Sequence, residues 1–274
     1  MTVSVNRQEC IGCAKCVKEC FPRDIVMVEG KASIKNKTCI KCGHCIAVCP
    51  VNCITMDDYD MTEVKEYNEK EFKINSDNLL NAIKFRRTIR QFEDREVEEE
   101  KLLKVIEAGR FTQTGANLQN VEYIVVREKI KDLREKTYEA IKGLAENILD
   151  NSEKYEAAYK RYAKMWLQMY EGFEKYGAKG DTLFFDASSL IVVKSDSLIN
   201  GSLAGSNMAL MTEALGLGCT FSGFFKVACD YSEELREFIG LEKGQEVVVC
   251  MIMGYPAVEY QRTVPRKKAE ITFM

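Results

Sequence analysis

The chain has 274 residues, of which 46% are hydrophobic and 30% are charged, and its formal net charge is −3. This is the composition of a soluble globular protein, and the weak negative charge gives no reason to expect a nucleic acid or an anionic membrane as partner. The N-terminus lacks a basic region followed by an apolar one, and the apolar run Val247–Met253 is too short to span a bilayer. We therefore expect a cytoplasmic protein with one large domain, or with a small domain and a medium one.

Cysteine usage separates the N-terminus from the rest of the chain. Nine of the 12 cysteines lie within the first 53 residues, and His44 is the only histidine. In a cytoplasmic protein this clustering favours metal or redox chemistry over disulfides. The single histidine leaves almost no room for a multi-histidine metal site or for a mechanism that rests on a Ser–His pair.

The N-terminal cysteines form two copies of one motif. The stretch "CIGCAKCVKEC" recurs 29 residues later as "CIKCGHCIAVC", which predicts two equivalent half-domains. The copies contain Cys10, Cys13, Cys16 and Cys20, then Cys39, Cys42, Cys45 and Cys49. Two intervening residues let a tight loop direct successive thiolates to three corners of one cubic cluster. Zinc, the less favoured alternative, would use two CxxC pairs separated by a longer loop.

In this motif the chain resembles the bacterial two-cluster ferredoxins, in which the fourth cysteine of each copy binds the other cluster. The resemblance implies one [4Fe–4S] cluster held by Cys10, Cys13, Cys16 and Cys49, and a second held by Cys39, Cys42, Cys45 and Cys20. The chain departs from the pattern at Phe21, which separates the last cysteine of the first copy from Pro22.

We expect structural roles, not ligand roles, for the four remaining cysteines and for the histidine. Cys53 stands at the repeat position of Asp24, and we expect a buried thiol there rather than a ligand. The same interpretation applies to three cysteines in apolar surroundings: Cys219, Cys229 and Cys250. His44, between two predicted ligands, is expected to be an exposed loop residue, with tuning of the cluster as the alternative.

The pattern changes after residue 56, so we predict a domain at 1–56, a polar linker at 57–75 and a second domain at 76–274. Ser76 is the predicted N-cap of the first helix in this second domain. The predicted helices are Leu79–Phe85, Val97–Ala108 and Ser202–Leu215. The predicted strands are Val121–Val126, Leu190–Val193 and Glu246–Met253. A helical lid or insertion at about 128–180 separates the first two strands, which indicates an α+β domain with a central sheet wrapped by helices.

Four short segments of the second domain carry chemical signals. "RRTIRQF" contains three guanidinium groups and a hydroxyl, which match phosphate oxygens, although such a run is more often a solvated basic surface. "TQTGANLQN" places amides beside a glycine, and the alternative is an ordinary polar turn. "ALGLGCTFSGFF" is glycine-rich after a helix, and the alternative is a C-cap and turn. "MGYPAVEYQRTVPRKK" adds basic residues after a strand.

The order of these segments resembles the nitroreductase family of FMN enzymes, from about Asp77 to the C-terminus. The resemblance implies a nitroreductase fold and an intertwined homodimer with FMN at its interface, where the chemistry takes place on FMN itself. For the FMN phosphate it implies Arg86, Arg87 and Thr88, with Arg90 nearby, and Arg266 and Lys268 from the tail. For the flavin it implies Asn117, Ser222 and Gly223, with Thr114 and Gly115 approaching from the partner subunit. Thr88 stands where serine is more frequent, and Asn120 stands where proline is common.

A stripe of large apolar residues follows one face of a predicted helix. Its members recur at helical spacing: Tyr155, Tyr159, Tyr162, Trp166, Met169 and Phe173. The favoured interpretation is packing in the core or in a dimer. The alternative is a lid over the flavin whose aromatic rings stack on a flat substrate.

Together the two resemblances predict an FMN- and iron–sulfur-dependent oxidoreductase. The favoured hypothesis is that an external one-electron donor such as ferredoxin or flavodoxin loads the clusters, and that FMN reduces an organic acceptor of the nitroaromatic, quinone or activated alkene class. One alternative is that NAD(P)H reduces FMN and the clusters pass the electrons out, although the chain has no Gly-x-Gly-x-x-Gly motif. The other is an electron-transfer or redox-sensing module that is not an enzyme.

Overall fold

In the computed structural model, which describes residues 2–274, the chain divides into two units. The first, here called the cysteine unit, comprises the chain up to Ile74 and the segment Thr114–Leu118. The second, the sheet unit, comprises Asn75–Gln113 and Gln119–Met274. Within residues 2–274, no helix combines the length and the apolar character that crossing a membrane requires.

The cysteine unit repeats one arrangement of short elements. They are β1 (Val3–Val5), α1 (Lys15–Glu19), β2 (Ile25–Val28), β3 (Lys31–Ile34), α2 (His44–Ala47) and β4 (Ile54–Met56). β1 pairs antiparallel with β4, and β2 pairs antiparallel with β3. Under the 29-residue shift α1 corresponds to α2 and β2 to β4, so the sequence repeat is also a structural one.

The predicted linker is not free of secondary structure. It contains a 3₁₀ turn at Met61–Glu63 and the short helix α3 (Glu69–Phe72), which begins at a cap made by Asn68. Asn68 Oδ1 accepts a hydrogen bond from the Lys70 backbone N–H at 3.1 Å. A local side-chain cap of this kind orders a polar segment without any hydrophobic period, which is why the sequence pattern did not reveal it.

The sheet unit contains seven helices and four strands among its described residues. The helices are α4 (Ser76–Phe85), α5 (Glu99–Arg110), α6 (Ile130–Asp150), α7 (Ala157–Tyr176), α8 (Leu198–Ala214), α9 (Gly223–Tyr231) and α10 (Glu233–Phe238). The strands are β5 (Val121–Val126), β6 (Ser189–Ser195), β7 (Gly218–Phe221) and β8 (Glu246–Gly254). All neighbouring strands are antiparallel, in the order β5-β6-β8-β7.

Both faces of this sheet are buried. Along β6, Leu190 and Val192 join one apolar cluster, and Ile191 and Val193 join the other. Residues of α6, α7 and α9 cover the first face, and residues of α5 and α8 cover the second. Because successive side chains of a strand point to opposite faces, a doubly covered strand is a continuous apolar run, as "LIVV" is.

The start of α4 corrects one prediction. The N-cap is Asn75, whose Oδ1 accepts from the Asn78 backbone N–H at 2.9 Å, and the predicted cap Ser76 is the first helical residue. The longer amide side chain of Asn75 reaches the free N–H one turn ahead, so the prediction was wrong by one residue.

Candidate functional site

The eight motif cysteines surround two cavities in the cysteine unit. The first cysteine cavity is lined by Cys10, Cys13, Cys16 and Cys49, together with Cys53. The second is lined by Cys20, Cys39, Cys42 and Cys45, together with Asp24 and His44. Each cavity thus takes three thiols from one motif and one from the other, which is the arrangement that two [4Fe–4S] clusters need. Within residues 2–274, no three His, Cys, Asp or Glu side chains converge on a position for a single metal ion.

The motif loops turn sharply because alternate residues are left-handed. Gly12 and Ala14 have φ values of 70° and 57°, and their repeat equivalents Lys41 and Gly43 have 53° and 72°. The backbone shape is therefore the same in both copies, although the position of the glycine differs. At Gly12 a Cβ atom would lie 2.3 Å from the Gly30 carbonyl oxygen, so this position also requires glycine for space.

Backbone N–H groups face several cysteine sulfurs. Those of Ala32 and Gly12 hold the pKa of the Cys10 thiol below its ordinary value, which favours a thiolate. In the other half, the Asp24 N–H points at the Cys20 sulfur from 3.3 Å. Groups of this kind stabilise a negatively charged cluster and its thiolates, so the donor chemistry of both cavities fits a [4Fe–4S] cluster.

Two acidic or thiol groups beside the cavities have shifted pKa values. Burial acts to raise the pKa of Asp24, but hydrogen bonds from Thr38 and Lys37 outweigh it and leave this pKa below the ordinary value. Burial raises the pKa of Cys53 to about 12, with the neighbouring Cys49 adding to the effect. The expectation of a buried thiol at Cys53 agrees with its 4% exposure.

The segment Thr114–Leu118 is part of the cysteine unit, and Asn117 shows why. Asn117 Nδ2 donates to the carbonyl oxygens of Ile40 and Lys41 at 3.1 and 2.9 Å. Both carbonyls belong to the loop between the first two cysteines of the second motif. Asn117, which the family resemblance assigns to the flavin, therefore donates its side-chain amide to a cysteine loop in this chain.

In the sheet unit, three residues of "RRTIRQF" line one cavity of about 370 Å³. They are Arg86, Thr88 and Arg90, and the cavity also takes side chains from α4, α8 and β7. None of the described residues that line it is acidic. Its volume lies within the range of small-molecule sites, and its two guanidinium groups and hydroxyls suit a phosphate-bearing ligand.

Backbone pairing with β7 positions the segment that contributes Thr88 and Arg90 to this cavity. Thr88 forms an isolated parallel bridge with Cys219, and the Ile89 N–H donates to the Cys219 carbonyl oxygen at 3.0 Å. Ile89 is 5% exposed and points into the core, so its neighbours Thr88 and Arg90 point to the cavity. Gly218 allows the approach, because a Cβ atom there would lie 2.5 Å from Ile89 Cγ1.

Arg87, by contrast, points away from the cavity. Its Nε donates to the Phe85 carbonyl oxygen at 2.9 Å, and its guanidinium also donates to the Lys84 carbonyl. These contacts cap the C-terminal end of α4. The structure thus brings together three of the four residues that the motif suggested for a phosphate.

Four other predicted FMN residues lie elsewhere in the sheet unit: Ser222, Gly223, Arg266 and Lys268. Ser222 caps α9 by accepting from the Phe225 N–H at 3.2 Å, and its own N–H donates to the Cys250 carbonyl oxygen at 2.9 Å. Gly223 is exposed, and a Cβ atom there would have no neighbour within 4 Å. Arg266 and Lys268 are exposed in the chain that follows β8. The glycine-rich turn before β7 takes the simpler alternative, since Gly216 has φ 70° just after α8 ends.

Sequence reasoning did not single out two hydroxyl groups of the cavity, Ser206 and Thr220. Ser206 lies on α8, which is apolar over most of its length, so an exposed serine there was an available signal. Cys219 also lines the cavity, and burial raises its pKa to about 11, which keeps it a neutral thiol. The structure buries Cys219, Cys229 and Cys250, as expected.

Most of the aromatic stripe packs in the core, as the favoured interpretation held. Trp166 is 3% exposed, and the ring of Phe173 stacks on Tyr138 at 4.3 Å between centroids. Tyr159 and Tyr162 remain 52% and 47% exposed. Tyr162 also contacts Phe224, the residue after Gly223, with 6.0 Å between the ring centroids.

Comparison with known proteins finds two families, in separate parts of the chain. A model of the nitroreductase family matches residues 83–255, and a model of a 4Fe-4S dicluster domain matches residues 2–50. A curated relative from Methanothermobacter thermautotrophicus, named "Putative NADH dehydrogenase/NAD(P)H nitroreductase", is 25% identical over 194 residues. The matched region covers 68% of this chain and 81% of that relative.

Solved structures show the same fold. A nitroreductase with bound FMN from Bacteroides fragilis superposes with a TM-score of 0.55 at 21% identity, covering 73% of this chain and 100% of that chain. A nitroreductase with bound FMN from Desulfitobacterium hafniense gives a TM-score of 0.54 at 21% identity, with the same coverage. The predicted combination of a two-cluster domain and a nitroreductase-type α+β fold is confirmed.

Proposed function

The chain belongs to the nitroreductase family, and we propose that it is an FMN-dependent oxidoreductase that takes single electrons through two [4Fe–4S] clusters and reduces an organic acceptor. The acceptor class that we propose is nitroaromatic, quinone or activated alkene. The observation that carries the proposal is the cavity lined by Arg86, Thr88 and Arg90, in a chain that also has two cavities lined by four motif cysteines each.

The cavity lined by Arg86, Thr88 and Arg90, here called the cationic cavity, is the proposed site of the FMN phosphate. Arg86 and Arg90 offer guanidinium donors, and Thr88, Ser206 and Thr220 offer hydroxyl groups. Charge-assisted hydrogen bonds of this type are stronger than neutral ones and orient the ligand as well as hold it. The Thr88–Cys219 bridge fixes the backbone of this wall, so the donors are arranged before a ligand arrives.

Bound clusters supply one-electron transfer, and bound FMN supplies both one-electron and hydride chemistry. In the proposal Cys10, Cys13, Cys16 and Cys49 hold one cluster, and Cys39, Cys42, Cys45 and Cys20 hold the other. Ser222 and Gly223 would leave open space beside the flavin, since Gly223 has no neighbour there. The aromatic rings of Tyr162 and Phe224 contact each other next to Gly223. Aromatic surface at this place favours the binding of a flat acceptor.

We also propose that the protein works as a homodimer. α4 exposes Leu79, Leu80 and Ile83, and α8 exposes Leu198 and Ile199, the last at 72%. Apolar surface of this extent on two helices is typical of a subunit interface. In the dimer, Thr114 and Gly115 of one subunit would approach the flavin of the other, and Arg266 and Lys268 of the exposed tail would complete the phosphate clamp. Asn117, which donates to the cysteine loop, is also a proposed flavin contact.

FMN affinity tests the phosphate site. Arg86→Ala removes a guanidinium from the cavity, and loss of a hydrogen bond to a charged group costs about 1.5–3 kcal/mol, or roughly 10- to 150-fold in Kd. Arg87→Ala is the matched control, because Arg87 caps α4 and does not line the cavity. Fluorescence titration of FMN into the full chain measures both, and equal losses in the two variants would argue against this site.

The electron route needs a second experiment, because the name of the Methanothermobacter relative favours NAD(P)H as the source of electrons. In the full chain, Cys42→Ser should abolish FMN reduction by reduced viologen while FMN stays bound. Anaerobic stopped-flow mixing with NADH or NADPH then distinguishes the routes. Fast bleaching of FMN by NAD(P)H in both proteins would support the alternative in which electrons leave through the clusters.

A further inference from the structure

The two cysteine cavities differ at one buried repeat position. Position 24 is an aspartate that lines the second cavity, and position 53, which is 29 residues later, is a cysteine that lines the first. Asp24 is 1% exposed and Cys53 is 4% exposed. An acidic side chain and a thiol therefore occupy equivalent places in otherwise similar half-domains.

Hydrogen bonds fix the Asp24 carboxylate at the wall of the second cavity. Its Oδ1 accepts from the N–H groups of Lys37 and Thr38, both at 3.0 Å, and from Thr38 Oγ1 at 3.1 Å. Its Oδ2 is buried and has no hydrogen-bond partner among the described residues. Three donors on one oxygen favour the ionised form, so the group places a negative charge there that no Lys or Arg of the described chain neutralises by an ion pair.

The first cavity has a more positive surrounding. Cys53 Sγ lies 3.6 Å from Cys49 Sγ, and either sulfur could be the donor of this contact. With Cys49 as a thiolate ligand, the weak donor is the Cys53 S–H group. The Lys31 ammonium donates to the Cys10 carbonyl oxygen, and Lys15 also lines this cavity. In the second cavity the repeat position of Lys15 is His44.

One cation of the second cavity works in the opposite direction. Lys41 lines that cavity, but it forms an ion pair with Asp58 at 2.6 Å. This pairing offsets most of its effect on a neighbouring negative charge. The Asp24 carboxylate thus remains the main electrostatic difference between the two cavities.

We propose that Asp24 and Cys53 make the two clusters unequal electron acceptors, with the second cluster having the lower reduction potential. Reduction adds one electron, taken from the external donor, and makes the cluster one charge more negative. A buried carboxylate opposes that charge, whereas an S–H group on a ligand sulfur stabilises it. An incoming electron would then reside mainly on the first cluster. The inference rests on the ligand sets given under the proposed function.

A redox titration of the full chain tests this. Anaerobically purified protein is titrated while the reduced clusters are followed by low-temperature EPR. In wild type we expect two separate midpoint potentials. Asp24→Asn keeps Oδ1 as an acceptor and removes the charge, so it should favour reduction of the lower-potential cluster by about tenfold, which is about 59 mV for one electron. The higher potential should stay in place.

The matched control is Glu29→Gln, the same chemical change on a side chain of the cysteine unit that is 86% exposed and lines neither cavity. It should shift neither potential. If Asp24→Asn moved both potentials equally, moved only the higher one or moved none, the inference would be overturned. An iron and sulfide content well below about eight of each per chain would instead overturn the proposed ligand sets.

A second pair of variants tests the other half independently of how well Asp24→Asn folds. Cys53→Ala removes the S–H group and should lower only the higher potential, whereas Cys53→Ser keeps a donor and should lower it less. If Cys53 had only a structural role, both variants would lose iron and sulfide. The higher midpoint potential would then not fall more in Cys53→Ala than in Cys53→Ser. Identical potentials in Cys53→Ala and wild type would contradict the role of Cys53.

Discussion

The cysteine unit and the sheet unit differ in the side chains that form their cores. Among the described residues of the cysteine unit, three of the eight in the buried core are cysteines, and no strand is longer than four residues. In the sheet unit, helices cover both faces of a four-stranded sheet, and aliphatic and aromatic side chains dominate both core clusters. Two core side chains of the small unit, Cys10 and Cys16, are also proposed ligands, so we expect this unit to depend on its cofactor for folding. We do not expect such dependence of a sheet that is buried on both faces.

The largest expected effect follows from removing iron. Chelation under reducing conditions should unfold the cysteine unit, because its thiols would lose their common partner, and leave the sheet unit folded. Trp166 is the only tryptophan and is 3% exposed in the sheet unit, so its emission reports on that unit alone. Hydrogen exchange should rise across the N-terminal 74 residues while the tryptophan emission stays that of a buried indole.

Two outcomes would show that the units do not differ in this way. Protected amides in β1 and β4 of the apo-protein would mean that the short strands fold without clusters. A red shift of Trp166 emission on chelation would mean that the sheet unit depends on the clusters as well. Protein kept in the same buffer without chelator is the control.

The next largest effect concerns a buried ion pair in the sheet unit. Arg134 and Asp181 have side chains that are 6% and 0% exposed, with Nε and Oδ2 separated by 3.0 Å. The Asp181 carboxylate also accepts from Tyr138 and from the N–H groups of three residues: Leu183, Phe184 and Asp186. Asp181→Asn removes the buried counter-charge of Arg134 and leaves only the exposed Asp186, so we expect the free energy of unfolding of this unit to fall by about 3–5 kcal/mol.

Asp186→Asn is the internal comparison, because Asp186 also pairs with Arg134 at 3.0 Å but has a side chain that is 60% exposed. An exposed partner contributes about 0–1 kcal/mol. Urea denaturation followed by Trp166 emission measures both variants. Similar midpoints for the two would show that burial does not set the strength of this network. Unchanged cluster content in both would confine the effect to the sheet unit.

The difference between the units also explains what the sequence could predict. The geometry of a cubic cluster constrains the cysteine spacing, so the spacing predicted three ligands in each copy, and the resemblance to two-cluster ferredoxins assigned the fourth cysteine to the other copy's set. The two cavities bring the same sets of cysteines together. The doubly buried strands were predicted from continuous apolar runs such as "LIVV". β1 to β4 have three or four residues each, too short for a hydrophobic period to identify.

Most of the features that the sequence did not predict depend on contacts between residues far apart in the chain. Nothing local indicates that Asn117 donates to a carbonyl 77 positions earlier in the chain, or that Arg87 turns back to cap α4. Ser206 and Thr220 reach the cationic cavity only through the packing of α8 and β7. Side-chain direction of this kind depends on tertiary structure, so a motif predicts which residues are near a site more readily than which of them face it.

The smallest expected effect is on the stability of the sheet unit, and it differs between alanine substitutions at two glycines. Gly218→Ala would place a methyl group 2.5 Å from Ile89 Cγ1, so the segment that carries Thr88 and Arg90 must move. Overpacking of this kind costs about 1–3 kcal/mol, and the movement should also weaken FMN binding. Gly223→Ala meets nothing within 4 Å and should leave the stability unchanged.

The two measurements separate packing from cofactor contact. Gly218→Ala should lower both the urea midpoint and the FMN affinity, because Ile89 and the cavity wall share one backbone segment. Gly223→Ala should preserve the midpoint, and any loss of FMN affinity there would place Gly223 against the flavin. If Gly218→Ala lost stability but bound FMN normally, the cavity wall would not depend on the Thr88–Cys219 bridge, and the proposed phosphate site would have to rest on Arg86 alone.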